Sequence, residues 1–378
     1  MYRYHNPVEI ITGLGALRAL ESRVAQQDYV LLTHPGQTFT TMAERVIAAA
    51  ARPPLACLND VEDNPSLANL QRLCRQLQAL PAKPALLLAL GGGSVIDACK
   101  VLCATGGDFD RLRAMLNGTE PVAPLPYIAI PTTSGTGSEV TCWATVWDPE
   151  TQRKHSLAHP ALYARSALLE PELTLSLPLN LSISTALDAL SHALESLWNH
   201  NRNPLSSQYA VRAAQMILSQ LPRLKLCSHE LALRETLQLA SLFAGLAFSN
   251  TKTSLAHNIS YRVTLEKGVS HGQACSFTLP MIIRAMSGDT QVQPLLEQIF
   301  GCPPLLAAER LEQLLLRLGI DVDPRRYGYR PQQWLALVAE AADGQRGRNF
   351  SGDPQRLLAL YQQSFQMDEV ISCQKSRV

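Results

Sequence analysis

Short apolar runs alternate with amphipathic segments through the first 180 or so residues, and this alternation limits the fold more than any other feature. YVLLT (Tyr29–Thr33), ALLLAL (Ala85–Leu90) and YIAI (Tyr127–Ile130) are typical of buried strands. Segments with helical periodicity, such as TFTTMAERVIAAAA, separate them. Strands that alternate with helices favour βαβ units, in which right-handed crossovers place helices on both faces of a parallel sheet. We therefore predict an α/β N-terminal domain, residues 1–180, with a mostly parallel sheet.

The pattern changes after about Pro178. From Ser182 onward the apolar residues recur at helical spacing, and LSLPLN, with its proline and asparagine, marks the boundary. The clearest helical segments are STALDALSHALESLW, SSQYAVRAAQMILSQL, ELALRETLQLASLFAGLAF, AAERLEQLLLRLG and DPQRLLALYQQSF. We predict an all-α C-terminal domain, residues 181–378.

Composition excludes several classes of protein. Apolar residues make up 46% of the chain and charged residues 17%, which is an ordinary balance for a globular protein. The 33 basic and 32 acidic side chains nearly cancel, so no basic surface for nucleic acid or membrane is indicated. No stretch approaches the roughly 18 apolar residues of a membrane span, and the N-terminus lacks the apolar core of a signal peptide. With nine cysteines in no regular pattern, a cytoplasmic protein with reduced thiols is expected.

Three glycines separate the ALLLAL strand from a predicted helix. Gly91–Gly93 let the backbone approach a ligand, and the helix N-terminus that follows offers free N–H groups to a phosphate. The turn does not match GxGxxG, so the usual dinucleotide fingerprint is absent. Ser94 and Asp97 also fit a capping box, which would make both residues purely structural.

A second polar loop, PTTSGTGSE (Pro131–Glu139), follows the YIAI strand. Its hydroxyls and glycines suit a pyrophosphate or a ribose, although a solvated connection has the same composition. Ligands of a parallel sheet lie outside the carboxyl ends of its strands, so both loops would line the same edge. Two such loops together favour a nucleotide.

Asp188 and His192 lie four residues apart in a strongly helical segment, so their side chains leave the same face. The spacing suits two ligands of one metal ion, but also a simple side-chain pair on a helix surface. His257 follows at the end of an apolar helical segment, and His271 lies in the loop KGVSHG. One aspartate and three histidines suit Fe²⁺ or Zn²⁺. Spacing alone does not distinguish this set from four unrelated positions.

The chain resembles the iron-containing (group III) alcohol dehydrogenase family along nearly its whole length. The motifs GGGSVIDACK, PTTSGTGSEVT, DALSHALES and AHNISY…GVSHG occur in the family's order and at about its spacing. The resemblance implies a dehydroquinate synthase-like fold, with a nucleotide-binding α/β domain followed by a helical domain. It also implies a divalent metal, usually iron, held by Asp188, His192, His257 and His271.

For the coenzyme, NAD or NADP, the resemblance implies contacts from both loops and from three further positions. The residues are Asn64, Gly92, Gly93, Ser94, Asp97, Thr132, Thr133, Ser134, Thr136, Thr141 and Lys154. NAD-specific members place an aspartate after the second strand, where this chain has Thr33-His34-Pro35-Gly36, so NADP is allowed. Many members carry a histidine suspected of proton relay where this chain has Tyr261, for which we expect a packed aromatic with a bonded hydroxyl. No residue is assigned as catalytic.

The implied reaction is hydride transfer between a nicotinamide and the carbonyl carbon of a small aldehyde or alcohol. SLAHNISYRVT…HGQACSFTLP resembles the branch associated with phosphonate metabolism, which implies reduction of phosphonoacetaldehyde to 2-hydroxyethylphosphonate. An anionic substrate requires cationic groups, and the candidates are Lys252, Arg346 and Arg348. Each of these is more often simply a surface charge.

Three alternatives stay open beside this reaction. They are a maleylacetate reductase-like enzyme, a cyclase or polyol-phosphate dehydrogenase, and a non-catalytic nucleotide-binding regulatory module. The sequence THPGQ resembles the cofactor turn of maleylacetate reductases. Those enzymes usually lack the metal, so retention of Asp188 argues against that alternative. As partners we expect the small substrate and a second copy of the chain in a homodimer, with neither nucleic acid nor membrane.

Overall fold

The computed structural model describes residues 1–119, 124–151 and 153–375. The chain divides into two compact units. An α/β unit comprises Asn6–Pro178 and Cys227–Gly245, and a helical unit comprises Met1–His5, Leu179–Leu226 and the chain from Leu246 onward. The division into an α/β domain, residues 1–180, and a helical domain, residues 181–378, stays a prediction.

The α/β unit contains one parallel sheet and one hairpin. Its strands are β1 (Glu9–Thr12), β2 (Tyr29–Thr33), β3 (Ala56–Leu58), β4 (Leu86–Gly91), β5 (Tyr127–Pro131), β6 (Trp143–Asp148), β7 (Arg153–Ala158) and β8 (Ser166–Leu169). Six strands form the sheet in the order β1-β8-β5-β4-β2-β3, and every neighbouring pair is parallel. The predicted α/β class with a mostly parallel sheet is confirmed. Strand β6 pairs with β7 in an antiparallel hairpin outside the sheet.

The helices include all the segments predicted to be helical. They are α1 (Leu20–Val24), α2 (Gln37–Ala49), α3 (Leu67–Gln78), α4 (Gly93–Thr105), α5 (Phe109–Leu116), α6 (Leu179–Leu197), α7 (Pro204–Gln220), α8 (Leu224–Cys227), α9 (Leu231–Thr251), α10 (Leu255–Lys267), α11 (His271–Ser276), α12 (Leu279–Ala285), α13 (Gln293–Phe300), α14 (Pro304–Arg317), α15 (Pro331–Asp343) and α16 (Pro354–Lys375).

The central strands are buried on both faces, which explains their continuous apolar sequences. All five residues of β2 and all six of β4 are buried. On one face, Met42 and Val46 of α2 pack into a core with Leu31 and Leu88. Helices on the sheet therefore remove its apolar surface from water, as βαβ crossovers require.

The register of the sheet places the two predicted loops side by side. Gly91 at the end of β4 is the register partner of Pro131 at the end of β5. The amide of Thr132 donates to the carbonyl oxygen of Gly91 at 3.1 Å. The glycine turn and the loop PTTSGTGSE therefore begin at the same point of the same sheet edge.

The helical unit packs around α6 and an aromatic cluster. Every residue of α6 from Ser182 to Leu197 except Thr185 is buried. Elsewhere in the unit, Trp334 contacts Phe277 and Tyr361 with ring centroids 5.4 and 5.6 Å apart. Since α6 is buried nearly all round, its polar side chains lie inside the unit and require partners there.

One helix in the described part of the chain is long and apolar enough to cross a membrane by length and composition. It is α9 (Leu231–Thr251), and 67% of its apolar window is buried inside the structure. The sequence predicts a helix here, ELALRETLQLASLFAGLAF, but no membrane span, because polar residues interrupt the apolar ones. Such burial is typical of a core helix.

Candidate active site

Helix α6 places Asp188 and His192 on one buried face. Both side chains are four residues apart, and each residue is 5% exposed. His192 Nε2 lies 3.9 Å from Asp188 Oδ1. A buried carboxylate beside a buried imidazole is costly unless further groups compensate for the lost hydration.

Two further imidazoles converge on the same carboxylate oxygen. His257 Nε2 and His271 Nε2 lie 3.3 and 3.6 Å from Asp188 Oδ1. The structure therefore brings the four predicted ligands together in one cluster within the helical unit.

The local structure around these two histidines differs from the expectation. His257 lies in the first turn of α10, because Lys252 at φ 67° interrupts the helical run after α9. His271 is the first residue of α11 and not part of a loop, since Gly268 at φ 65° ends α10 just before it.

Stacking fixes the ring of His192. Its centroid lies 4.0 Å from that of Phe248, with an interplanar angle of 7°, and 4.4 Å from that of His257. A ring held between two others has little rotational freedom, so the cluster is preorganised.

Glu195 is a residue in contact with the cluster that the sequence interpretation missed. Its carboxylate is fully buried and accepts a hydrogen bond from the ring Nδ1 of His257 at 2.6 Å. It also accepts hydrogen bonds from the backbone amides of Ser254 and Ala256, at 2.9 and 2.5 Å. Glu195 lies seven residues after Asp188 in DALSHALES, on the same helix face, and this spacing is the signal that could have identified it.

The donor set fits a divalent cation. Asp188 Oδ1 and His257 Nε2 are buried, and neither has a hydrogen-bond partner among the described residues. Burial alone would raise the pKa of Asp188, but the imidazoles of His192 and His271 outweigh burial and hold that pKa well below its ordinary range. Asp188 is therefore an anion among imidazole nitrogens, which is the chemistry of an Fe²⁺ or Zn²⁺ site.

Cys275 is a further residue of the cluster that the sequence interpretation missed. One potential ligand atom from each of Asp188, His257, His271 and Cys275 lies within 4.8 Å of the others. Burial raises the pKa of the Cys275 thiol, but the imidazoles of His257 and His271 outweigh burial and lower that pKa to about 7. The spacing of four residues between His271 and Cys275 could have signalled this, had a helix been predicted there.

Tyr261 connects the cluster to a cation. Its ring stacks on His271 with centroids 5.8 Å apart and an interplanar angle of 11°. Arg346 donates to the Tyr261 hydroxyl, and the Arg346 Cζ lies 4.7 Å from the centre of the Tyr261 ring. The structure thus shows a packed ring with a bonded hydroxyl, as expected for this position.

The three cationic candidates differ in their surroundings. Arg346 is partly buried, and no carboxylate among the described residues forms an ion pair with it. Burial lowers the pKa of its guanidinium, and the charge of Glu195 partly offsets this effect. Arg348 is exposed and donates to the carbonyl oxygen of Asp343 at 2.9 Å, and Lys252 is exposed. Arg346 alone of the three contacts a side chain that stacks on the cluster.

In the α/β unit, the two polar loops pack directly on each other. A Cβ atom on Gly92 would lie 3.0 Å from Thr133 Cγ2, and one on Gly93 would lie 2.7 Å from Thr136 Cγ2. A Cβ on Gly93 would therefore overlap Thr136, whereas one on Gly92 would require Thr133 to shift by a few tenths of an ångström. The N-cap residue of α4 is Gly92, and no side chain accepts a hydrogen bond from the helix there. The first backbone amides of α4 therefore have no side-chain cap.

Asp97 does not form the capping box that the sequence allows. Its carboxylate accepts the Ser138 hydroxyl at 2.5 Å and the backbone amide of Thr145 at 2.8 Å. The capping-box interpretation is wrong, because Asp97 lies one turn inside α4 and faces the second loop. It therefore contributes to the shape of that loop.

The remaining predicted coenzyme residues lie around these loops. Thr132 and Ser134 are buried, and Ser134 Oγ has no hydrogen-bond partner among the described residues. Asn64 adopts φ 54°, and its backbone N–H donates a hydrogen bond to Ser94 Oγ at 3.1 Å. Lys154, on the β6–β7 hairpin, lies with Nζ 5.5 Å from the centre of the Trp147 ring. Their roles as coenzyme contacts stay predictions.

Lys100 is a third residue that the sequence interpretation missed. It is fully buried, and its Nζ donates to Ser138 Oγ at 2.7 Å, to Thr141 Oγ1 at 3.0 Å and to the carbonyl oxygen of Trp143 at 2.8 Å. Burial lowers the pKa of Lys100, and the nearby Asp97 carboxylate opposes this. Lys100 therefore connects α4 to the second loop, and it links the predicted Thr141 to that network.

The fold and these two candidate sites are those of an oxidoreductase. Comparison with known proteins gives the family. Residues 7–171 match the model of iron-containing alcohol dehydrogenases, and residues 182–364 match that of the C-terminal domain of the same family. The chain belongs to the iron-containing alcohol dehydrogenase family. This confirms the family, the fold class and the enzyme class expected from the sequence.

Individual relatives support this assignment. The chain is 33% identical to the phosphonoacetaldehyde reductase of Streptomyces viridochromogenes over 80% of this chain and 82% of that protein. It is 37% identical to the probable alcohol dehydrogenase EutG of Escherichia coli, but this match spans only about half of each chain, 52% and 50%. The sulfoacetaldehyde reductase of Bifidobacterium kashiwanohense, solved in complex with NAD⁺, superposes with a TM-score of 0.88 at 26% identity, covering 96% and 98% of the two chains.

Proposed function

We propose that this protein reduces a short aldehyde that carries a phosphonate or sulfonate group. The reaction is R–CHO + NAD(P)H + H⁺ → R–CH₂OH + NAD(P)⁺. The hydride leaves the nicotinamide for the carbonyl carbon, and the alkoxide oxygen gains the proton. The observation that carries the proposal is the contact of Arg346 with Tyr261, whose ring stacks on the metal-ligand cluster.

The metal is proposed to be held by Asp188, His192, His257 and His271. The buried Asp188 Oδ1 and His257 Nε2, which lack partners in the described part of the chain, support this assignment. A divalent cation supplies Lewis acidity toward a carbonyl oxygen and stabilises the charge that develops there. Fe²⁺ is proposed, and Zn²⁺ suits the same donors.

The coenzyme is proposed to bind at the ends of β4 and β5. The first amides of α4, from Gly93 and Ser94, are suited to the pyrophosphate. Ser134, whose buried hydroxyl has no partner among the described residues, supports a polar ligand at the second loop. NADH and NADPH are both proposed as substrates, since the turn after β2 carries no carboxylate.

The anionic group of the substrate is proposed to bind Arg346. A planar guanidinium can bind a phosphonate or sulfonate through two hydrogen bonds. Tyr261 would orient Arg346, because the guanidinium lies over the Tyr261 ring and donates to its hydroxyl. Two similar proteins, a phosphonoacetaldehyde reductase and a sulfoacetaldehyde reductase, are named for aldehydes with such a group.

The test uses anaerobically Fe²⁺-loaded protein with NADH and NADPH, and compares phosphonoacetaldehyde and sulfoacetaldehyde with propionaldehyde. We expect kcat/KM to favour one of the anionic aldehydes by about 100-fold or more, roughly 2.7 kcal/mol of discrimination. Arg346→Met should remove most of this preference, whereas Arg348→Met, a change at an exposed arginine of the same loop, should retain it. Equal or better turnover of propionaldehyde by the parent protein would discard the anionic substrate.

A second variant tests the metal assignment. His271→Ala should lose turnover of every aldehyde while NADPH binding is retained. Normal turnover by a metal-stripped His271→Ala protein would contradict the proposed ligand set. NADPH binding by the parent protein without turnover of any aldehyde would favour a regulatory module. The cytoplasmic location and the homodimer expected from the sequence stay predictions.

A further inference from the structure

Cys275 brings a further potential ligand atom, Sγ, to three of the proposed metal ligands, Asp188, His257 and His271. His271 and Cys275 are four residues apart on α11, so their side chains leave the same face. Cys275 Sγ lies 3.7 Å from His271 Nε2 and 3.9 Å from His271 Nδ1. With bonds of about 2.1 Å from a metal to nitrogen and about 2.3 Å to sulfur, two ligands of one ion are separated by a distance of this size.

A second observation points to a ligand at the same place. The group formed by Asp188, His257, His271 and Cys275 has ligand atoms within 4.8 Å of one another. Two of these atoms, Asp188 Oδ1 and His257 Nε2, are buried and lack hydrogen-bond partners in the described ranges. Buried polar atoms without partners are costly, so the arrangement favours an occupant that all four atoms share.

The backbone around Cys275 holds it against the cluster. A Cβ atom on Gly272 would overlap the carbonyl oxygen of Ser184, so α11 packs on α6 at backbone contact. Asp188 lies one turn after Ser184 on α6. The close contact therefore fixes the distance between the face that carries Cys275 and the helix that carries Asp188.

We propose that Cys275 coordinates the metal as a thiolate, beside Asp188, His257 and His271, and that it biases the centre toward Zn²⁺ over Fe²⁺. Thiolate is a soft ligand that favours Zn²⁺ relative to a site of carboxylate and imidazole alone. The inference rests on the metal centre of the proposed function and adds a ligand to it.

The experiment uses the full-length protein, stripped with a chelator and titrated with Co²⁺ while absorbance is recorded. The parent protein should show ligand-field bands together with an intense near-ultraviolet band from thiolate-to-cobalt charge transfer. Cys275→Ser should bind Co²⁺ and lose only the charge-transfer band. Cys302→Ser, at a buried cysteine elsewhere in the helical unit, should retain both. Competition between metals should show a Zn²⁺ to Fe²⁺ affinity ratio lowered about 10-fold or more in Cys275→Ser.

The possible results separate the two proposals. Ligand-field bands without a charge-transfer band in the parent protein would overturn the role of Cys275 and leave the metal centre intact. Failure of the parent protein to bind Co²⁺ would overturn the metal centre itself. Should Cys275→Ser fail to fold, zinc K-edge absorption of the parent protein replaces it. A sulfur shell at about 2.3 Å is then expected, and a shell of nitrogen and oxygen alone would overturn the inference.

Discussion

Glu195 accepts the ring Nδ1–H of His257 at 2.6 Å, at the centre of a fully buried part of the helical unit. A carboxylate only accepts hydrogen bonds, so Nδ1 carries a proton, and Nε2 is the ring nitrogen that faces Asp188 Oδ1 at 3.3 Å. The backbone amides of Ser254 and Ala256 hold the carboxylate in turn. This chain of contacts sets both the tautomer and the orientation of His257.

Glu195→Gln should therefore weaken metal binding. The amide carries no charge and has one acceptor oxygen in place of two, so either the His257 Nδ1–H or the Ala256 amide loses its acceptor. Mutating a group that hydrogen-bonds to a metal-ligating histidine typically lowers metal affinity roughly 10- to 100-fold, and we expect a loss in that range. Chelator competition with Co²⁺ or Zn²⁺ measures it. Glu340→Gln, at an exposed carboxylate paired with Arg262, is the control. An affinity unchanged in Glu195→Gln would show that His257 is positioned by packing alone.

Lys100→Met should weaken coenzyme binding. Lys100 donates to Ser138 and Thr141, and Ser138 in turn donates to Asp97, so the cation fixes the shape of the second polar loop. Its removal leaves buried acceptors without a donor, which costs about 1–3 kcal/mol for each group left unpaired. We expect KM for NADH and NADPH to rise by about 10-fold or more. The comparison is made with Lys83→Met, at an exposed lysine of the same unit.

A uniform loss of stability would not by itself support this role of Lys100. The prediction requires that the dissociation constant of NADH, measured by fluorescence below the unfolding temperature, rises in Lys100→Met and not in Lys83→Met. Unchanged affinity in a folded Lys100→Met protein would contradict it.

The sequence was sufficient for the strands and loops whose signal is local. β2, β4 and β5 are continuous apolar runs because they are buried on both faces. The edge strand β1 is only partly buried, and β8 has just four residues, so neither has a clear pattern. They form because β8 pairs with β1 and with β5, and such pairings depend on residues distant in sequence.

The site shows the same division between local and distant signals. The pair Asp188 and His192 was recognisable because four residues make one helical turn. Cys275 has the same relation to His271, but it was missed because His271 was expected in a loop and not on a helix. The roles of Glu195 and Lys100 depend on partners 62 and 38 residues away in sequence, and only the folded chain brings these together.

The stability of the α/β unit should depend on pH through Glu139. This carboxyl is 3% exposed; burial raises its pKa from 4.5 to about 7, and the charge of Lys100 partly opposes the shift. Between these two values the folded protein retains a proton that the unfolded chain has lost. The free energy of unfolding therefore falls as pH rises through this range, by roughly 3 kcal/mol in total.

Glu139→Gln removes this titration and keeps the shape of the side chain. Urea unfolding of the parent protein and of Glu139→Gln at pH 5 and pH 8 tests the prediction. The variant should gain stability relative to the parent as pH rises. Parallel pH profiles for the two proteins would show that Glu139 is ionised in the folded state at both pH values.

Asp63 places a carboxylate beside the end of β2, where the sequence of the turn itself has none. Its Oδ1 lies 3.9 Å from His34 Nδ1, and His34 directly follows β2. The ends of parallel strands are where dinucleotides bind, and an acidic group there disfavours the 2′-phosphate of NADP. The structure thus offers a negative charge from the segment before α3 in place of the missing aspartate.

Asp63→Asn should therefore shift coenzyme preference toward NADPH. The Asp63 side chain is 95% exposed, so solvent and salt screen its charge, and a change of only several-fold in the ratio of kcat/KM for NADPH and NADH is expected. The change should shrink as ionic strength rises. Glu62→Gln, at a neighbouring carboxylate that Arg72 already neutralises, provides the matched control. An equal shift in both variants would mean that the general charge of this segment, and not the position of Asp63, sets the preference.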